Sequence, residues 1–475
     1  MHIRYSFLSF VMLNSIILSA QISNNKKEAI NTIDNNAPQM ISMSDSIWAF
    51  AEMSMKEYKS SEMLADYAEA QGFKVTRNAA DIPTAFIAEY GSGKPIIGIL
   101  GEFDALPGLS QQAVPYKTPL EENAPGHGCG HNMFGAASLG AAIAIKELMV
   151  QEKIKGTIRF YGTPAEEDYA GKVYMARAGL FNDLDVCLDW HPDYEIKANT
   201  QSSKAVIDYT VSFKGKSAHA ALDPWNGRSA LDAAELFTTG INFYREHVRP
   251  TARMHYVYLE GGEAPNVIPD KASVWIWLRD DTQSDISILL ERMKDIAQGA
   301  ALMAGVDYEL TMNSGLYEVL INMKGAEAMQ KNLEILGPIT YTNEEIEFAN
   351  MIMKSNGNEE KGISGKINPI EATFEHPEGG STDVGDVSWI VPEIGLVVTT
   401  APFKSPWHSW VVVACGGMSI GHKGMLFASK AMAMTMVDLF EDENLRNEIR
   451  AEFEMRKGDK VWVPLLPEGP PKIRE

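Results

Sequence analysis

The chain has 475 residues, 45% hydrophobic and 22% charged, a globular composition in a chain longer than one compact core usually grows, which predicts two folded domains. Its formal charge of -21 excludes a nucleic-acid surface, because phosphate binding needs clustered Lys and Arg that no segment supplies. Beyond that, the acidic balance speaks only to solubility and to the local concentration of cations.

Residues 1–20 read as a secretory signal: Arg4 lies in a short leading region, an apolar stretch runs over 7–18, and Ser19-Ala20 offers a small-residue cleavage site. The stretch is too short, and too interrupted by Ser9, Asn14 and Ser15, to span a bilayer. Export, with a periplasmic destination, is therefore expected, and no other stretch reads as a membrane span. Polar residues 21–39 separate the signal from helical spacing over 44–72, carried by Ile47, Phe50, Met55, Tyr58, Leu64 and Tyr67 and stopped by Gly72. A buried-strand pattern follows in KPIIGIL (94–100), then a helix former over 135–149, then strands GTIRFYG (156–162) and LDVCLDW (184–190). Strands alternating with helices predict an α/β domain built on a mostly parallel sheet.

From 204 to 316 the pattern becomes strand, helix, two strands, helix, strand. That βαββαβ order is ferredoxin-like, and it reads as a second domain inserted into the first, whose two parts are 21–203 and 317–475. Beyond it come helical stretches near 325–336 and 343–353, a polar loop over 355–366, and a strand IGLVVTTA (394–401).

The polar clusters begin where the apolar strands end: GEFDALP after the first, TPAEED after the second, His191-Pro192 after the third, and Trp407-His408 after IGLVVTTA. Ligands of open parallel sheets bind beyond the carboxyl ends of the strands, so these groups converge on one rim. Of the 10 histidines, His127, His131, His191 and His408 sit in unusual polar or glycine-rich settings. GHGCGHN places Cys129 two residues from His131 between glycines that let the backbone bend around an ion. Glu166-Glu167 supplies adjacent carboxylates that point opposite ways in an extended loop, one for a metal and one for the water it activates. Cys187 and Cys415 lie in apolar runs and read as small buried hydrophobes, with a disulfide between them left open. Met432, Met434 and Met436 read as core packing.

The motifs GEFDALPGLSQ, GHGCGHNMFGAASLGAA, GTPAEED, DWHPD, KGKSAHAA, PNVIPDKA, GGSTDVGDVSW, PWHSW and IGHKGML, in this order, closely resemble the co-catalytic metallo-amidohydrolases. That family includes aminoacylases, indole-acetyl-amino-acid hydrolases and glutamate carboxypeptidases, and the likeness is nearest to its p-aminobenzoyl-glutamate-cleaving branch. The resemblance implies that Cys129, His131, Glu167, His191 and His408 bind two divalent metal ions, with Glu166 as general base. It also implies that Asp104 orients a ligand, that the inserted domain forms a homodimer in which His219 reaches the partner's active site, and that Asn266 helps hold substrate. His408 is preferred to His422 as the last ligand because its loop follows a strand directly. The expected substrate is a small N-acyl or N-aroyl amino acid, the expected ions manganese or zinc. An A-type companion subunit belongs to the same expectation. Alternatives are an exported aminopeptidase or dipeptidase and a non-catalytic metal-dependent binding protein; the latter would tolerate loss of Glu166.

Overall fold

The computed structural model describes residues 22–374, 376–377 and 379–471, so the expected signal segment lies outside the described residues. The chain opens with α1 (Asn24–Phe50), capped by the Ser23 hydroxyl, which accepts from the Lys26 amide, and continues into α2 (Tyr58–Ala70). The helical run expected over 44–72 is thus two helices, and the first begins in sequence read as a polar spacer. Ala29, Ile33, Met40, Met43 and Ile47 form one buried stripe along α1, enough to hold an otherwise polar helix to the core. Ala51 and Met55 then adopt left-handed φ values of 43° and 65°, which no right-handed helix can carry.

Next come β1 (Lys74–Arg77), β2 (Phe86–Ser92), β3 (Ile96–Gly101), α3 (His131–Val150), β4 (Gly156–Gly162), α4 (Gly171–Arg177), β5 (Val186–Leu188), β6 (His191–Asp193) and β7 (Lys197–Ala198). The insertion supplies β8 (Ala205–Lys214), α5 (Ala230–Tyr244), β9 (Arg253–Glu260), β10 (Lys271–Asp280), α6 (Gln283–Ala304) and β11 (Asp307–Leu316). The chain then returns through α7 (Met323–Leu336), α8 (Asn343–Ser355), α9 (Val384–Ser388), β12 (Glu393–Ile394), β13 (Leu396–Thr399), α10 (Trp410–Gly416), α11 (Ser419–Glu441) and α12 (Glu443–Lys457).

The main sheet has the order β1-β2-β4-β3-β5-β12, with β4, β3, β5 and β12 parallel and the β1-β2 edge antiparallel. Helices α1, α3 and α11 share one core with it. α3 is apolar and long enough for a membrane span, yet it is buried along nearly its whole length between sheet and neighbouring helices. The inserted sheet has the order β11-β8-β10-β9, all antiparallel, with α5 and α6 packed on it around a separate core. That is the ferredoxin-like arrangement expected from the sequence.

Two local expectations change. The strand read over 394–401 divides at Gly395, β12 pairing with β5 and β13 with β6, and a Cβ at Gly395 would lie 2.6 Å from Asp189 Oδ1. The Cys187-Cys415 disulfide does not form: both are buried free thiols in different apolar clusters, Cys187 beside Tyr161 and Phe181, Cys415 beside Val411 and Ala414. After α12, the segment 461–471 runs back across both domains. Trp462 Nε1 donates to Asp386 Oδ1 at 2.8 Å, Leu465 packs on the inserted core, and Arg177 donates to the carbonyls of Pro467 and Gly469.

Candidate metal centre

The rim beyond β3, β4 and β5 gathers the polar clusters. Glu102 and Asp104 follow β3, Glu166 and Glu167 follow β4, His191 opens β6, and Cys129 and His131 stand at the start of α3. Gly130 makes that entry possible: its φ of 84° is left-handed, and a Cβ would lie 2.9 Å from Pro192 Cγ. His408 also has a left-handed φ, of 54°, and its amide donates to the Gly128 carbonyl at 3.0 Å, so its loop is tied to the Cys129 loop.

Hydrogen bonds fix which ring nitrogens are free. His131 Nδ1 lies 2.9 Å from Asp104 Oδ1, and His191 Nδ1 lies 2.7 Å from the Pro192 carbonyl. Both partners accept only, so both Nδ1 atoms carry the proton and both Nε2 atoms present a lone pair. His191 Nε2 lies 3.3 Å from Cys129 Sγ, and His408 Nε2 lies 3.4 Å from Glu167 Oε2. Two donors bound tetrahedrally to one zinc-sized ion at about 2.0–2.3 Å stand roughly 3.4 Å apart, so these separations already match shared ligation.

Among the described residues, three groups each bring one donor atom per residue within 4.8 Å of the others: Cys129 with His131 and His191, Cys129 with Glu167 and His408, and Glu102 with His131 and Glu166. The first two contain all five expected ligands and share Cys129. Glu102 Oε2, His131 Nε2 and Glu167 Oε1 are buried without a hydrogen-bond partner among the described residues. Glu102 Oε2 lies 3.0 Å from His131 Nε2 yet without hydrogen-bond geometry, as two lone pairs would. Buried polar atoms left unsatisfied are costly, and a cation is the group that would satisfy this set.

The electrostatics agree. Burial, reinforced by the charges of Glu102 and Glu167, holds the Glu166 carboxyl well above its usual range. Burial, with Asp104 and Glu102 adding to it, pushes Glu167 up to about 7. Burial and the nearby Glu167 raise the Cys129 thiol, while burial pushes His191 down to about 4. A cation would favour the ionised carboxylates and thiolate, reversing their upward shifts, and would favour the neutral His191 ring that burial already favours.

Asp104 Oδ2 accepts from Ser54 Oγ at 2.8 Å and from the Glu167 amide at 3.0 Å, so one carboxylate ties three parts of the site together. His422 lies outside all three donor groups and pairs with Asp45 at 2.7 Å. His127 is a buried structural histidine facing the Ile47 carbonyl. His219 and Asn266 are exposed on the inserted domain, joined by a bond from the Ala220 amide to the Asn266 carbonyl, and neither belongs to the donor groups.

Sequence reasoning gave no role to four further residues. Lys172 Nζ, fully buried, bridges Glu102 Oε1 at 2.5 Å and Asp383 Oδ1 at 2.6 Å, holding Glu102 ionised behind His131. Arg279 on β10 lines the cleft between the domains together with Glu166, Glu167 and His408. Its guanidinium stacks on Trp277 and donates to Ser381 Oγ at 3.0 Å, with no carboxylate partner among the described residues. GEFDALP and GGSTDVGDVSW contained Glu102 and Asp383 in plain sight; nothing local marks Lys172 or Arg279.

Residues 202–302 match the model of a peptidase dimerisation domain. The chain is 39% identical over 451 residues to the B subunit of p-aminobenzoyl-glutamate hydrolase from Escherichia coli K12, covering 89% of this chain and 94% of that protein. It is 28% identical over 455 residues to human Xaa-Arg dipeptidase, covering 92% and 94%. Among solved structures, a dinuclear metal-binding peptidase of the M20 family from Bacillus subtilis shares the fold, with a TM-score of 0.56 at 20% identity over 86% of this chain and 99% of that one. With a near-complete match to the Escherichia coli hydrolase, the chain belongs to the M20 family of metallopeptidases and amidohydrolases and is an enzyme that hydrolyses carbon-nitrogen bonds.

Proposed function

We propose that the enzyme cleaves the amide bond of small N-aroyl or N-acyl amino acids, p-aminobenzoyl-glutamate among them, using two divalent ions held by Cys129, His131, His191, Glu167 and His408. The observation that carries the reading is the pair of donor groups joined at Cys129 with Glu166 beside them. Bound there, the ions would polarise the amide carbonyl and acidify water, and the cysteine and histidine donors suit zinc while the carboxylates also admit manganese.

The chain's own residues supply the rest. Glu166 takes the proton of the attacking water and returns it to the departing amine. Asp104 keeps His131 in the tautomer that offers Nε2. Arg279, half-buried and without an acidic partner among the described residues, is suited to the carboxylate of the amino-acid half. His219 would serve the oxyanion of a neighbouring protomer, with Asn266 beside it on substrate. The p-aminobenzoyl-glutamate hydrolase relatives and the match to a dimerisation domain support a homodimer, with an A-type companion subunit as the other assembly. Export to the periplasm rests on residues 1–20 alone and is checked by sequencing the amino terminus of the protein recovered from that compartment.

The test is release of p-aminobenzoate from p-aminobenzoyl-glutamate by the purified protein, metal-free and then supplied with zinc or manganese. Metal-dependent release is expected; none, with two ions bound per chain, would remove this substrate. The likeness to Xaa-Arg dipeptidase keeps a second reading alive, a dipeptidase. Comparing acetylated with unblocked dipeptides separates the two, since a dipeptidase prefers the free amine.

A further inference from the structure

Glu102, His131 and Glu166 form the third donor group, and the five expected ligands do not account for it. Glu102 and Asp104 stand two residues apart just beyond β3, and both carboxylates reach the fully buried His131 ring, Asp104 at Nδ1 and Glu102 at Nε2. The Glu102 backbone is also held to the helix that carries His131. Its carbonyl accepts from the Gly135 amide at 2.9 Å, an approach that only a glycine allows, since a Cβ there would lie 2.9 Å from the same oxygen.

The two oxygens of the Glu102 carboxylate have different neighbours. Oε1 accepts from Lys172 Nζ at 2.5 Å, and Asp383 holds that ammonium from its other side at 2.6 Å. Oε2 has no hydrogen-bond partner among the described residues, although Glu102 is only 1% exposed, and it faces the equally unpartnered His131 Nε2 at 3.0 Å. A proton shared between them would bring the pair into hydrogen-bond geometry, and the bond to Asp104 already assigns the ring proton to Nδ1. Two donors bound side by side to one ion at about 2.0–2.2 Å stand roughly 3.0–3.4 Å apart, so the separation fits a cation reached by both.

We propose that Glu102 is a sixth protein ligand of the centre, binding through Oε2 the ion that His131 holds, with Lys172 fixing Oε1 so that Oε2 stays aimed. The inference rests on the two-ion reading above and adds to it a ligand and a chemical difference between the ions. In the donor group of Cys129, His131 and His191 every donor is sulfur or nitrogen, a set that favours zinc. A carboxylate oxygen added to it widens the choice toward manganese. Lys172 then acts as a positioning residue: it touches no ion, and it leaves one oxygen of its partner free to do so.

The direct test is a crystal structure of the wild-type enzyme loaded with zinc. Glu102 Oε2 should stand about 2.0–2.2 Å from the ion on His131. A gap beyond about 3 Å, with that ion in place, would overturn the proposal and leave the two-ion reading standing; no ion at Cys129 and His131 would end both. The second test is Glu102→Gln, read by competition with a chelator of known affinity for zinc and for manganese. The glutamine carbonyl keeps Lys172 as its donor, which turns the amino group toward the ion and removes the ligand. Affinity for one ion should fall for both metals, and about tenfold further for manganese than for zinc, because carboxylate oxygen matters more to manganese. A residue that only steadied His131 would cost roughly 10- to 100-fold for either metal alike, so equal losses, or unchanged affinity, would overturn the assignment.

Discussion

Replacing Asp104 by Asn tests the centre at its most connected point. The carboxylate is buried and accepts three hydrogen bonds, from His131 Nδ1, Ser54 Oγ and the Glu167 amide. An asparagine keeps the shape but must turn its amino group toward one side. Facing His131 it meets an N–H and drives the imidazole toward the other tautomer, closing Nε2 to a metal. Facing the other side it opposes the Glu167 amide, which cannot rotate away. One charge-assisted bond of about 1.5–3 kcal/mol is lost either way. That converts to roughly 10- to 100-fold in equilibrium, the range expected when the partner of a ligating histidine is removed. Competition between the protein and a chelator of known affinity measures it directly, with metal content read by mass spectrometry. Ser54→Ala, which removes only a hydroxyl donor, should lose several-fold less. Unchanged metal affinity in Asp104→Asn would refute the idea that this carboxylate orients a ligand.

Other outcomes follow from the same geometry. Glu166→Gln should keep both ions and lose about 10²- to 10⁴-fold in kcat, and normal turnover would end its assignment as base. Lys172→Met leaves Glu102 and Asp383 buried without their cation and should destabilise folding by about 3–5 kcal/mol in denaturant titrations of the metal-free protein; a loss under about 1 kcal/mol would show the bridge to be dispensable. His219→Ala should retain metal and lose activity, and retained activity would remove its role across a dimer. Metal uptake should release protons, because burial and Glu167 keep the Cys129 thiol protonated while the bound form is a thiolate. Affinity should therefore rise with pH, and the calorimetric enthalpy should differ between buffers of different ionisation enthalpy; identical enthalpies would contradict it.

Much of this site was legible in the sequence, because the informative signal was where polar clusters fall relative to apolar strands. The five proposed ligands and Glu166 sit at strand ends or helix starts, and a parallel sheet carries such ends to one rim. His408, which follows a strand, lies with Cys129 and Glu167 in one donor group, whereas His422 pairs with Asp45. What escaped was settled by contacts distant in sequence. The helical spacing over 44–72 runs on through a break made by two left-handed residues, and spacing does not report φ. Lys172 sits in a short helix where a lysine ordinarily faces water, and only the approach of Glu102 and Asp383, far away in sequence, explains its burial. Arg279 ends a strand like many surface charges. It matters because the inserted domain folds back over the rim.

The segment 461–471 gives the two domains a further connection besides the two strands of chain that lead into and out of the insertion. Trp462 is hydrogen-bonded beside α9 while Leu465, three residues on, lies against Gly315 of the inserted sheet. Any change in the angle between the sheets must drag on this short span or tear one anchor loose. It would act as a stay on any such movement without entering the site, and substitutions at Trp462 or Leu465 would loosen it while leaving the donor groups untouched.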